Sequence, residues 1–133
     1  MSKPAVMEAI HTMLFANTSL RNLTGDRMYY ARGPISSEFP QVVYFDVAST
    51  NGYLLDYNSE TIQVSVWAND EFTALNISES IHSIFNRFHG IINTVNINYI
   101  ELIDRGALPQ EDQQLKGQFL RYQIRYRGQN LGG

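Results

Sequence analysis

The chain has 133 residues, a formal net charge of −3 and no cysteine, which predicts one domain over residues 1–133 with a single hydrophobic core. The lack of cysteine excludes disulfides, thiolate metal sites and cysteine nucleophiles. The small negative charge gives no overall attraction to nucleic acid, and no apolar stretch approaches the roughly 20 residues that span a bilayer. The first residues lack the basic and then apolar pattern of a secretory signal, so we expect no cleaved leader.

The N-terminal third is predicted to form two helices and a short strand. Pro4 suits the first turn of a helix, and apolar residues then recur at helical spacing as far as Leu14. A second, short helical segment is expected to end at Gly25, which can adopt the left-handed conformation. A short strand over residues 27–31 is followed by residues 32–40, whose glycine and two prolines indicate a loop.

The middle of the chain is predicted to contain two strands and a long helix. Residues 41–49 are rich in β-branched and aromatic side chains, with apolar groups on both faces, which indicates a strand covered on both sides. Residues 60–67 alternate between apolar and polar side chains. Asp70 is a natural N-cap for a helix that we expect to end at Gly90. The apolar stripe of this helix is expected to pack on the apolar face of the strand over residues 60–67, formed by Ile62, Val64 and Val66. The stripe includes Phe72, Leu75, Ile81, Phe85 and Phe88.

Two more strands are predicted over residues 97–104 and 118–127, joined by a polar connection. Consecutive strands between and after the helices are typical of an α+β protein. We therefore expect a mostly antiparallel β-sheet of about five strands, with the long helix and the N-terminal helix packed on it.

The candidate catalytic and metal-binding side chains form no recognisable constellation. His82 and His89 are seven residues apart on the predicted helix, about 10 Å along its axis, which is too far for one metal ion. The nucleophile elbow and the glycine-rich phosphate-binding motifs are absent from the sequence. Asp46 and Glu101 fall in predicted strands and could approach each other, but nothing else indicates acid–base chemistry. We predict a protein that is not an enzyme and needs no metal or cofactor.

The loop after the second strand indicates contact with another protein. Residues 50–59 carry Tyr53, Leu54, Leu55 and Tyr57, and such a set of apolar side chains should not stand free in water. Either the loop folds back on the domain or a partner buries it.

A stripe of arginines is the second candidate interface. Arg121, Arg125 and Arg127 share one face of the last predicted strand, and no acidic residue follows Asp112. A solvated strand face and ion pairs with acidic groups of a neighbouring subunit explain this pattern equally well. Contact with nucleic-acid phosphates is a third explanation.

Three phrases in the sequence resemble a known protein family. They are LTGDRMY at residues 23–29, FPQVVY at residues 39–44, and IQVSVWA at residues 62–68, which leads directly into the long helix. In this order and at this spacing, they resemble the tail terminator family of long-tailed bacteriophages, also called tail-completion or tail-to-head joining proteins. The resemblance covers residues 7–90 and continues more loosely to Arg127.

The resemblance implies an α+β subunit and a homohexameric ring that sits on the tail tube. Such a ring stops polymerisation of the tube and offers a surface to the neck of the capsid, without catalysis. The implied partners are copies of the chain, the tail tube protein and a head-neck connector protein, while DNA only passes through the lumen. The implied location is the virion tail or neck, assembled in the host cytoplasm. The loop between the second and third strands commonly takes part in ring contacts in this family, whereas the arginine stripe is not a family signature.

Three other hypotheses compete with a tail terminator. A head-side neck or connector component would differ in not binding the tube protein. A small enzyme using His82 or His89 with a carboxylate would need a deep polar pocket beside the long helix. A nucleic-acid-binding module using the arginine stripe would show salt-dependent affinity for DNA.

Overall fold

The computed structural model describes residues 3–35, 37–51, 58–109 and 115–128. Three helices and six strands occur in these ranges. In chain order they are α1 (Lys3–Phe15), α2 (Thr18–Thr24), β1 (Met28–Tyr30), β2 (Gln41–Asn51), β3 (Asn58–Ala68), α3 (Glu71–Phe85), β4 (Gly90–Ile92), β5 (Val95–Ala107) and β6 (Lys116–Gly128).

Side-chain caps fix the ends of the short helix and the start of the long one. The backbone N–H of Leu20 donates to Asn17 Oδ1 at 2.8 Å at the start of α2, and Gly25 closes that helix in the left-handed conformation, at φ 60°. Asp70 Oδ1 accepts from the backbone N–H groups of the first turn of α3, as expected of this N-cap. The predicted boundaries of these elements are therefore confirmed where local capping decides them.

The predicted end of α3 at Gly90 is wrong, because the helix ends at Phe85. Arg87 adopts a positive φ of 61°, and its backbone N–H donates to the carbonyl oxygen of Ile100 in β5 at 3.2 Å. The chain thus leaves the helix to join the sheet. Gly90, at φ 148°, begins the short strand β4, which the sequence pattern did not reveal.

The strands form one sheet in the order β1-β2-β3-β6-β5-β4. β1 runs parallel to β2, and the other neighbouring pairs are antiparallel. The expected α+β fold with a mostly antiparallel sheet is confirmed, with one more strand than expected. Within the described ranges, no helix combines the length and the apolarity that a membrane-spanning segment needs.

The helices cover one face of this sheet. Ile62, Val64 and Val66 of β3 are fully buried on that face. The register aligns Ile62 with Tyr122 and Val64 with Leu120 of β6. From α3, the side chains that reach this core belong to residues spaced three or four apart: Ala74, Ile77, Ser78, Ile81 and Phe85.

The predicted apolar stripe of α3 is only partly correct. Phe85 and Ile81 are buried as expected, and Phe88 packs half-buried in the turn after the helix. Phe72 and Leu75 are instead 79% and 37% exposed. At about 100° per residue, Phe72 points nearly opposite to the buried set. The stripe that we read from the sequence was too wide for one helix face.

Candidate interaction surface

The sheet face opposite the helices carries polar, aromatic and arginine side chains, and we call it the open face. Side chains alternate along each strand, so the neighbours of the buried residues of β3 and β6 point to this side. The register places Gln63 opposite Arg121 and Ser65 opposite Phe119. From β5, Tyr99 aligns with Arg125, and Asp104 aligns with Arg121. The described helices pack on the other face. On this side Gln63 and Ser65 are buried, whereas Phe119, Arg121 and Tyr99 are half-buried and Asp104 is exposed.

Arg121 is held at the centre of the open face by its own chain. Its Nη2 donates to Gln63 Oε1 at 3.0 Å, and its Nη1 donates to Asp104 Oδ2 at 3.3 Å. Its guanidinium carbon lies 5.4 Å from the centre of the Phe119 ring. We expected the arginines to face acidic groups of a neighbouring subunit, but Arg121 already has an acidic partner on the adjacent strand.

The other two arginines continue the row toward the end of β6. The Arg125 guanidinium carbon lies 5.4 Å from the centre of the Tyr99 ring, and Arg127 is exposed. The structure therefore brings the three predicted arginines onto one face. Contact of this face with a neighbouring subunit stays a prediction.

Trp67 adds an aromatic platform that sequence reasoning missed. A Cβ atom at Gly117, its cross-strand neighbour in β6, would lie 2.7 Å from Trp67 Cζ3, so the indole ring lies directly on the strand backbone. The indole Nε1 is buried and has no acceptor among the described residues. A glycine inside an otherwise strong strand was the available signal for this close approach.

A second exposed surface lies on α3, on the side away from the sheet. We call it the helix patch and define it as Glu71, Phe72, Leu75 and Glu79. Phe72 is the most exposed large apolar residue in the part of the chain that the structure describes, and Leu75 lies one turn further along. Glu79 Oε1 accepts from Arg105 Nη2 at 2.5 Å while its side chain stays 64% exposed. The patch is thus apolar at its centre and acidic at its margins.

The other predicted interface residues, Tyr53, Leu54, Leu55 and Tyr57, lie outside the described residues. The structure places only the flanks of their loop. β2 and β3 pair as far as Asn51 and Asn58, so the segment connects two antiparallel strands. The contribution of these four side chains to an interface stays a prediction.

Two histidines pair with tyrosine hydroxyls at the helix–sheet boundary. His11 Nδ1 hydrogen-bonds to the hydroxyl of Tyr44, and His82 Nδ1 lies 2.9 Å from the hydroxyl of Tyr122. Burial raises the pKa of Tyr44 to about 12 and raises the pKa of Tyr122 as well. His89 follows the end of α3 and does not share that helix with His82. The two paired histidines therefore satisfy buried hydroxyl groups.

The candidate carboxylates do not approach each other. Asp46 lies in β2 and Glu101 in β5, with β3 and β6 between them. The register also places them on opposite faces of the sheet. Among the described residues, no group of three or more histidine or carboxylate side chains could hold a metal ion.

A cleft opens where β4 ends and leaves β5 without an outer neighbour. Its volume is about 540 Å³, and it is lined by Asn86, Arg87, Tyr99, Ile100, Glu101 and Leu102. Neither His82 nor His89 lines it. The cleft therefore does not supply the deep histidine pocket that the enzyme hypothesis requires.

Most of the chain matches a known protein family. The model of the family described as "Tail completion protein gp17" matches residues 8–127. The chain is thus a structural protein of the tail and neck region of a phage-type virion, where it contacts other virion proteins. It belongs to the tail completion protein gp17 family, which confirms the resemblance read from the sequence phrases.

Solved structures show the same fold at low sequence identity. A chain of the virion of the native gene transfer agent (GTA) particle superposes with a TM-score of 0.75 at 15% identity, over 90% of this chain and 92% of that one. The gp17 protein of bacteriophage SPP1 gives a TM-score of 0.56 at 18% identity, over 98% of this chain and 93% of that one. The comparison with curated proteins found no match.

Proposed function

We propose that this chain forms a closed homohexameric ring that caps the tail tube, ends its polymerisation and offers the surface to which the head attaches. The observation that carries the proposal is the sheet face opposite the described helices, rich in arginine and aromatic side chains, in a chain that belongs to a tail completion family. Arginine and aromatic side chains are enriched in protein interfaces. A surface of this composition suits contact with protein better than exposure to water.

A tail cap needs several distinct contacts, and the chain offers several distinct surfaces. It must bind copies of itself around the ring, the tube protein on one side and the neck on the other. The open face and the helix patch lie on opposite sides of the chain, and the segment with Leu54 and Leu55 connects the paired ends of β2 and β3. We propose that this segment is buried between neighbouring subunits, because its apolar side chains gain free energy when covered.

We also propose that the chain acts without catalysis. The hydroxyl groups beside His11 and His82 are buried and give these histidines a structural task. Replacing His11, His82 and His89 together with glutamine, which keeps hydrogen-bonding capacity, should leave capping of the tube intact. Loss of capping by a variant that melts like the wild type would contradict this part of the proposal.

The test of the proposal is controlled polymerisation of the tail tube. The tube protein is polymerised with and without the purified chain, tube lengths are measured by electron microscopy, and native mass spectrometry gives the subunit number. We expect a hexamer that binds tube ends and shortens the tubes as its concentration rises. A chain that binds the neck protein but never the tube would instead be a head-side connector component. Salt-sensitive binding to free DNA, with no effect on tubes, would favour the nucleic-acid hypothesis.

A further inference from the structure

The most exposed apolar side chain on α3 is a candidate for contact with another chain. Phe72 is 79% exposed and points away from the core that Ile77, Ile81 and Phe85 enter. Leu75, 37% exposed, lies beside it on the next turn. Full burial of side chains this large is strongly favourable, so the two residues together form the apolar centre of a contact surface.

The acidic margin of the helix patch indicates which side chains a partner surface should carry. Glu71 and Glu79 flank the apolar centre, and Asp70 caps the helix beside them. Glu79 also accepts a hydrogen bond from Arg105 of its own chain, so Glu71 and Asp70 carry most of the unneutralised negative charge. The hydrogen bonds that Asp70 accepts, first from the side chain of Thr73, lower the pKa of its carboxyl, so it stays ionised at neutral pH. A matching surface should therefore carry aromatic groups at its centre and cations around them.

The open face of the same chain supplies both aromatic rings and cations. It also carries the carboxylates of Glu101 and Asp104, of which Asp104 is already paired with Arg121. Phe119, Tyr99 and Trp67 supply half-buried aromatic rings, and the cations lie in the row that ends at Arg125 and Arg127. The Arg125 guanidinium already stacks over the Tyr99 ring, which holds the cation in place and leaves less side-chain freedom to lose on binding.

We propose that the helix patch of one subunit lies on the open face of the next subunit. The inference rests on the proposed ring and specifies the surfaces that join its members. The two surfaces lie on opposite sides of the sheet, so their contact is head-to-tail. A head-to-tail contact generates a ring when its repeated rotation closes and an open filament when it does not, and the proposed ring requires the closing rotation. Their sizes agree. The 15-residue α3 is about 22 Å long, and the four strands from β2 to β5 are about 15–19 Å wide.

A charge exchange between the two surfaces tests the pairing. One variant carries Arg125→Glu and Arg127→Glu, which makes the open face acidic. The other carries Glu71→Lys and Glu79→Lys, which makes the helix patch basic. Each variant alone opposes like charges at every contact, so we expect the concentration needed for ring assembly to rise at least about tenfold. In a 1:1 mixture, unlike charges meet at every contact, and rings with equal numbers of the two variants should return.

Two control variants distinguish an effect of charge at the interface from an effect of net charge elsewhere on the chain. Glu8→Lys with Glu38→Lys makes the same net charge change as the helix-patch variant, at exposed positions outside both surfaces, and should assemble like the wild type. It also removes the ion pair of Glu38 with Arg27, as Glu79→Lys removes that of Glu79 with Arg105, so the two variants are matched in this respect. Phe72→Ser changes no charge and should weaken assembly while the isolated subunit melts unchanged. Thermal melting confirms that each variant folds, and a variant that does not fold is replaced by its single-substitution forms.

The outcomes separate this inference from the proposed function. If both charge variants assemble like the wild type, or if the mixture stays dissociated, the pairing is wrong even though the wild type caps tubes. Normal assembly with lost binding to DNA would assign the arginines to nucleic acid and overturn the pairing too. If the wild type neither forms a ring nor shortens tubes, the proposed function itself fails.

Discussion

Phe85 and Phe72 offer a matched pair of substitutions, because they are the same residue type on one helix in opposite environments. Phe85 is 0% exposed, and its ring centre lies 5.3 Å from that of Tyr122 at an interplanar angle of 60°. Phe72 is 79% exposed. Replacing each with alanine therefore compares the loss of a core side chain with the loss of a surface one, and both changes replace phenylalanine with the better helix former.

The expected loss in the free energy of unfolding follows from how deeply each side chain is buried. Phe85→Ala removes a fully buried aromatic side chain and leaves a cavity beneath α3, so we expect a loss of about 3–5 kcal/mol in the free energy of unfolding. For a chain of 133 residues, this corresponds to a fall of roughly 10–20 °C in Tm. Phe72→Ala should change the stability of the isolated subunit by at most about 0.5 kcal/mol.

The assay is urea and thermal unfolding of both variants at a concentration where the subunits are dissociated. Dissociation matters because a subunit interface would bury Phe72 and add its own stabilisation. If Phe85→Ala does not fold, Phe85→Leu serves instead, with an expected loss below about 1.5 kcal/mol. Equal effects of the two alanine substitutions, or an unchanged Tm for Phe85→Ala, would refute the placement of α3 on the sheet.

Three further predictions concern the open face, the buried hydroxyl groups and the loop. Gly117→Val should cost about 1–3 kcal/mol, because its Cβ would meet the ring of Trp67 at 2.7 Å, and urea unfolding that shows no loss would contradict this packing. The raised pKa of Tyr44, about 12, means that folding favours the neutral phenol, so its contribution is complete below the ordinary value of 10 and is lost as pH rises toward 12. Tyr44→Phe should therefore flatten the alkaline fall in stability measured by thermal melting, and an unchanged alkaline profile would count against burial as the cause. Leu54→Ser with Leu55→Ser should leave the subunit folded and abolish ring closure in native mass spectrometry, whereas an unfolded subunit would assign these side chains to the core.

Local features of the sequence decided the elements of this fold. The alternation along β3 predicted its buried face, because side chains on a strand have a period of two. Asp70 and Gly25 marked helix ends, because a cap needs only a few neighbouring backbone groups. The three sequence phrases at residues 23–29, 39–44 and 62–68, with the order of elements, sufficed for the fold class and the family, both of which are confirmed. The arginine row was also predictable, since it depends only on alternation within β6.

Tertiary structure decided what depends on residues far apart in the chain. α3 stops at Phe85 because the backbone beyond it bonds to Ile100 in β5, and no local pattern contains that partner. Helical periodicity places Phe85 and Phe72 on nearly opposite faces of α3, but the packing of α3 on the sheet decided which of the two faces is buried. The pairing of Arg121 with Asp104 requires the register of two strands. Periodicity determines which way a side chain points relative to its own helix or strand. Only the packing of helices and strands on one another determines which residues that side chain contacts.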